Sequence, residues 1–224
     1  MANNKTEKYI KYAIGEIVLV VIGIMIALSI NNWNETNQND REQIVFLNNL
    51  KNDLTNDLIQ LDEILKFQKE KLASVNELKD QLLTKRDFEK IEQLFAEIST
   101  SANDTYFPNT GSYTTSVSSG NIASLNPSSL RIAITNLYER YYYRLIYNGE
   151  IYDKRDDEVS LSRGRFFNMF TSKLNSKEVI EDSEFVNLIA IVLTDNLNYL
   201  ERGDETKDEI SSVLKLVNER LKDL

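Results

Sequence analysis

The strongest constraint on this chain is the stretch AIGEIVLVVIGIMIALSI, residues 13–30, in which Glu16 is the only charge and Ser29 the only other polar side chain. At ~1.5 Å of rise per residue, this run and its flanks cross about 30 Å of hydrocarbon. A buried helix of a soluble protein keeps a polar side, whereas here the apolar character goes all the way round. A cleaved signal peptide would close on a small-x-small site, and this run closes on Ile30, Asn31, Asn32, Trp33 and Asn34. The sequence therefore predicts one retained transmembrane helix over residues 9–33.

Tyr12 and Trp33 bracket the run and suit the two headgroup layers, having an apolar ring with a polar handle. Lys5, Lys8 and Lys11 precede it against Glu7 alone, while Arg41 is outnumbered by Glu35, Asp40 and Glu42 beyond it. That bias places a tail of residues 1–8 in the cytoplasm and residues 34–224 across the membrane. Glu16 has two readings: a relay or helix contact within the bilayer, or a carboxylate near enough to the interface to reach water, Lys8 or Lys11. Gly23 and Ala27 form a small-xxx-small pair at which a second helix can approach closely.

Composition removes most chemistry. With no Cys and no His among 224 residues, disulfides, thiol nucleophiles, histidine bases and the usual zinc sites are excluded. The formal charge is −9, with acids and lysines interspersed and no basic stripe for nucleic acid. Asp156, Asp157 and Glu158 are consecutive, so on a helix they point apart rather than forming an acid pair, and neighbouring Arg155, Arg163 and Arg165 make a solvated ion-pair face the simpler reading. No glycine-rich phosphate loop or nucleophile elbow occurs. The expectation is a protein without catalytic residues, metal or cofactor.

Beyond a polar, Asn-rich stretch, a heptad pattern occupies residues 40–83. Its a and d positions are Ile44, Leu47, Lys51, Leu54, Leu58, Leu61, Leu65, Gln68, Leu72, Val75, Lys79 and Leu82, nine of the twelve apolar. Phe46, Leu50, Ile64 and Leu78 widen the stripe beyond that of a two-stranded coil. Such a helix serves equally an intersubunit stalk or an antiparallel bundle within one subunit. After a turn at residues 84–86, Phe88, Ile91, Leu94, Phe95 and Ile98 give a second helix a face with which to fold back.

Residues 99–129 are a polar loop region punctuated by Pro108, Gly111, Gly120 and Pro127, with a short helix over Ser112–Ser119 closed by Gly120. Asn126 as N-cap and Pro127 as first residue open a helix reaching about Asn148, with Leu130, Ile134, Leu137, Tyr141 and Leu145 inward. Further apolar periodicity over residues 159–174, 185–200 and 210–221 implies separate helices, the last with Asp204 and Glu205 near its start. The fold class is all-α: one transmembrane helix followed by a long-helix bundle. Tyr106, Tyr113, Asn121, Tyr138 and Tyr142 are candidates for a ligand or partner surface, although tyrosines also fill the margin of a helical core.

Residues 11–35, KYAIGEIVLVVIGIMIALSINNWNE, resemble a family of single-pass membrane proteins common in Bacteroidetes, whose N-terminal helix reads GEI-x-LV-x-x-GI-x-IAL and ends in NNWNE. Gly15, Glu16, Gly23, Asn31, Asn32, Trp33, Asn34 and Glu35 carry the likeness, and Ser29 stands where a Gln is more usual. SYTTSVSSGNIASL, residues 112–125, is similar to that family's Ser-Gly-Asn turn region. The resemblance implies a bacterial inner-membrane protein facing the periplasm and carries no activity.

Three functions fit these observations. The first is an anchored interaction or scaffold protein, in contact with the lipid bilayer and either homo-oligomeric or bound to another membrane or periplasmic protein. The second is a ligand-sensing subunit that uses residues 105–121 and the tyrosines and signals through a membrane partner. The third is an oligomeric pore or energy-coupling subunit built on Glu16.

Overall fold

The computed structural model describes residues 3–100 and 103–224, with side chains from residue 15 onward except that of residue 100. The chain divides into a unit ending at Phe46 and a second from Leu47 to Asp223, and helix α1, Asn3–Asp80, contributes to both.

In the first unit every side chain from residue 15 to residue 36 is exposed, Glu16, Ala27 and Trp33 among them, and a Cβ added at Gly23 would meet nothing within 4 Å. The side chains of Tyr12 and of residues 1–8 lie outside the described residues. The polar, Asn-rich stretch before residue 40 is helical throughout. Thr36 donates to the Asn32 carbonyl (2.9 Å) and Arg41 to that of Asn37 (3.2 Å), each four residues back along the helix.

The second unit is an all-helical bundle with one small hairpin. Its elements are the rest of α1, a π turn at Gln81–Lys85, α2 (Phe88–Thr100), α3 (Gly111–Ser119), α4 (Asn121–Ser124), α5 (Ser128–Asn136), a π turn at Leu137–Tyr142, α6 (Tyr143–Arg163), strands β1 (Phe167–Asn168) and β2 (Lys173–Leu174), a 3-10 turn at Lys177–Glu181, and α7 (Ser183–Asp223). The fold-back after residue 82 occurs where expected, with Arg86 in the left-handed region (φ 59°), and Ile91, Leu94, Phe95 and Ile98 are buried. Gly120, at φ 79°, closes α3 as the sequence implied.

The α1 seam is buried inside the subunit, and its register differs from the expected one. Leu47, Leu54, Leu61, Leu65, Gln68, Val75 and Leu82 are buried as anticipated, as are Phe46, Leu50, Ile64 and Leu78, which widen the stripe, but the polar Asp57 and Lys71 are buried beside them. Ile44, Lys51, Leu58 and Leu72 are only half-buried and Lys79 is exposed. The seam is rotated by one residue because α1 is contacted by several elements along its length, and those elements offer partners to Asp57, Gln68 and Lys71.

Three other expectations change. Pro127 is the N-cap, with extended backbone, and Ser128 opens α5. The following π turn inserts a residue into the helical period, so Tyr138 and Tyr142 face inward and Tyr141 is only half-buried; the helix then continues to Arg163. Residues 159–174 are not one helix: α6 stops at Arg163, and a hairpin pairs Phe167 with Leu174, its turn held by the Asn168 side chain accepting from the Phe170 and Thr171 amides. The hairpin lets Phe166, Phe167 and Leu174 reach a core with Phe95 and Phe185; the rings of Phe95 and Phe167 meet edge-on at 5.3 Å. The two C-terminal helices are a single α7. At Gly203 a Cβ would stand 2.3 Å from Leu65 Cδ2, so this glycine lets α1 and α7 approach.

Candidate functional site

The chemistry of the second unit is concentrated on a strap of non-helical chain, residues 103–110, fixed by polar side chains of α1, α6, α7 and the π turn between α5 and α6. Backbone buried outside a helix must find partners elsewhere, and the rotated α1 seam supplies them.

At one end of the strap Asp57, fully buried, accepts the Asn109 backbone N–H (2.8 Å), the Asn109 side-chain amide (2.7 Å) and the Tyr142 hydroxyl (2.7 Å). Burial pushes its carboxyl above the usual range, opposed by those three hydrogen bonds. Around it the tyrosines pack on one another: Tyr113 stacks on Tyr138 at 4.2 Å and 6°, while Tyr106 and Tyr138 both meet Tyr142 edge-on. Tyr138 donates to the Asn109 carbonyl and Tyr113 to Glu139. Burial first, then the Glu139 carboxylate, push Tyr113 up to about 12.

Mid-strap, Gln68 uses both ends of its amide. Its oxygen accepts from Asn196 (2.6 Å) and Tyr152 (3.2 Å), and its nitrogen donates to the Asp104 carbonyl (3.0 Å). The Tyr106 amide donates to the Tyr199 hydroxyl (2.8 Å).

At the other end Asp153 accepts from Asn103 (2.8 Å) and Thr105 (2.9 Å). Lys71, 5 % exposed, lies 3.8 Å from Asp156, which also pairs with Arg163 at 3.2 Å, and Arg163 donates to the Ser99 carbonyl. Burial holds the Lys71 ammonium below its usual range; Asp156 opposes that shift and Arg163 adds to it.

The structure thus brings Tyr106, Tyr113, Tyr138 and Tyr142 together, but as an interior and not as a surface, because their rings fill the space around Asp57. Asn121 is separate and half-buried, at the start of α4. Sequence reading missed Asp57, Asn103, Asn109 and Asp153, and placed Gln68 on the seam without its partners. For Asp57 and Gln68 the available signal was a polar residue on the apolar stripe of α1; the strap residues and Asp153 gave none. The Asp156–Glu158 run points apart as expected, but the solvated ion-pair face holds only for Arg155 and Arg165: Arg163 is buried and pairs with Asp156, which turns inward to it and Lys71, while Asp157 and Glu158 stay exposed. An open groove of about 660 Å³ between α6 and α7, lined by Glu158, Val159, Leu188, Ile191 and Thr194, contains none of the residues singled out beforehand as ligand contacts.

The chemistry of this network is cohesion: donors and acceptors of the strap meet groups on helices far apart in sequence. One family model matches residues 16–197, from within the apolar run to the middle of α7. No curated protein and no solved structure matches the chain.

Proposed function

The chain belongs to DUF6090, a family of unknown function matched over residues 16–197, and on that footing we propose that it is a single-pass, membrane-anchored scaffold, with its helical domain in the periplasm of the bacterial inner membrane and no catalytic role. One observation carries this reading: α1 is long and apolar enough to cross a membrane, and none of its apolar window is buried by the rest of the chain. Lys5, Lys8 and Lys11 immediately precede the run, which favours a cytoplasmic N-terminus. The polar strap supports a structural role for the domain, since its groups are engaged with one another.

Against a sensing role for the tyrosines, their rings occupy the volume a ligand would need. A pore built on Glu16 requires several copies around it.

The test is purification in mild detergent with mass measurement and identification of bound proteins. A scaffold gives a stoichiometric complex, of several copies or with a defined second protein. A monodisperse single copy with nothing bound, across several detergents, contradicts the proposal.

A further inference from the structure

Helix α6 buries Leu145, Gly149, Tyr152, Val159 and Arg163. Its opposite face bears a row of large side chains left in solvent: Tyr143 at 68 %, Tyr147 at 54 %, Ile151 at 39 % and Leu161 at 84 % exposure. At about 3.6 residues per turn these four fall on one outward stripe, with Lys154 and Glu158 between them. Single exposed apolar residues are ordinary, but a row aligned along one helix marks a contact surface.

The charges beside the stripe are sorted. Arg144 and Arg155 lie on one flank and Glu150 and Asp157 on the other, all exposed; Arg144 and Arg155 also reach Glu205 (4.0 Å) and Asp195 (2.5 Å) on α7. This asymmetry selects the occupant. If a second copy of α6 lies alongside in parallel, related by a two-fold axis along the helices, the basic flank of each copy faces the acidic flank of the other. An antiparallel pair sets basic against basic and acidic against acidic.

We infer that the exposed α6 face, Tyr143, Tyr147, Ile151 and Leu161, is the docking surface for a second copy of this chain, in parallel two-fold contact, with Glu150 of each copy facing Arg155 of the other. Five residues separate that pair, the offset between flanking positions of parallel helices, and such flanking charges set partner and orientation. The inference rests on the anchored-scaffold reading and names its partner. A stripe this narrow suffices because confinement to one membrane raises the effective concentration of the second copy.

The absence of native Cys makes the test direct. Tyr147→Cys and Leu161→Cys, both at exposed positions and so compatible with folding, are oxidised in isolated membranes, with Lys66→Cys on the exposed side of α1 as control. The expected result is a reductant-sensitive dimer at 147 and 161, absent at 66, and reduced at least threefold at 147 when Glu150→Arg sets like charges together. Dimer at none of the positions, or equally at all three, overturns the α6 face while leaving a membrane-bound scaffold with another partner. Recovery of the protein outside the membrane fraction overturns the anchored reading and this inference with it.

Discussion

Helix α1 contains two hydrophobic regions built to different rules. Residues 15–30 are apolar around the whole circumference and exposed, whereas residues 47–82 bury one stripe and include Asp57, Gln68 and Lys71 on it. On the anchored reading proposed above, the difference is one of solvent. A segment read as surrounded by lipid satisfies its backbone internally and leaves no side chain needing a polar partner. A seam facing protein accepts polar residues wherever the neighbour offers hydrogen bonds, and there they fix the position of a strap that apolar contact alone would leave free to slide.

Substitutions sharpen that contrast. Leu61→Ala removes a side chain that is 0 % exposed and should cost the domain about 3 kcal/mol, while Leu19→Ala in the apolar run should leave domain melting unchanged. Chemical denaturation of both in detergent checks this; equal losses would erase the distinction. Leu58→Asp, at a half-buried position, should cost less than Leu61→Asp, which reports the seam register.

Asp57→Ala strips the acceptor from three donors and should cost about 3 kcal/mol, with faster amide exchange at Asn109. Gly203→Ala forces Leu65 to move and should cost about 1–2 kcal/mol, and the double variant carrying Leu65→Ala should cost less than the sum of the two single variants, the sign that the two sites share one contact.

The smallest effect is one of pH. The folded pKa of Lys71 lies below its ordinary 10.5, so between those values the unfolded chain binds more protons and stability rises with pH. Lys71→Met should flatten that rise, measured as melting temperature from pH 7 to 10.

The all-helical class, the fold-back near residue 86 and the closure of α3 by Gly120 were legible because each depends on local pattern. The seam register was not: it differs from the alternative by one residue, both registers are mostly apolar, and the choice is made by Asn109, Tyr142, Asn103 and Asn196, far along the chain. The inward turn of Tyr142 depended on a π turn, which sequence periodicity does not announce. The close approach at Gly203 was not legible because its neighbour Leu65 lies on another helix. The tyrosine cluster was identifiable as a group, but whether it faced solvent was decided by the strap.

The proposal that the apolar run of α1 crosses a membrane and the helical domain faces the periplasm is tested most directly by cysteine labelling in a chain that has no other thiol. Met25→Cys and Lys222→Cys are exposed in turn to a membrane-impermeant maleimide on spheroplasts. The account predicts prompt labelling at 222 and none at 25 until detergent is added. Labelling at 25 in intact membranes, or protection of 222 until the cells are lysed, would contradict it.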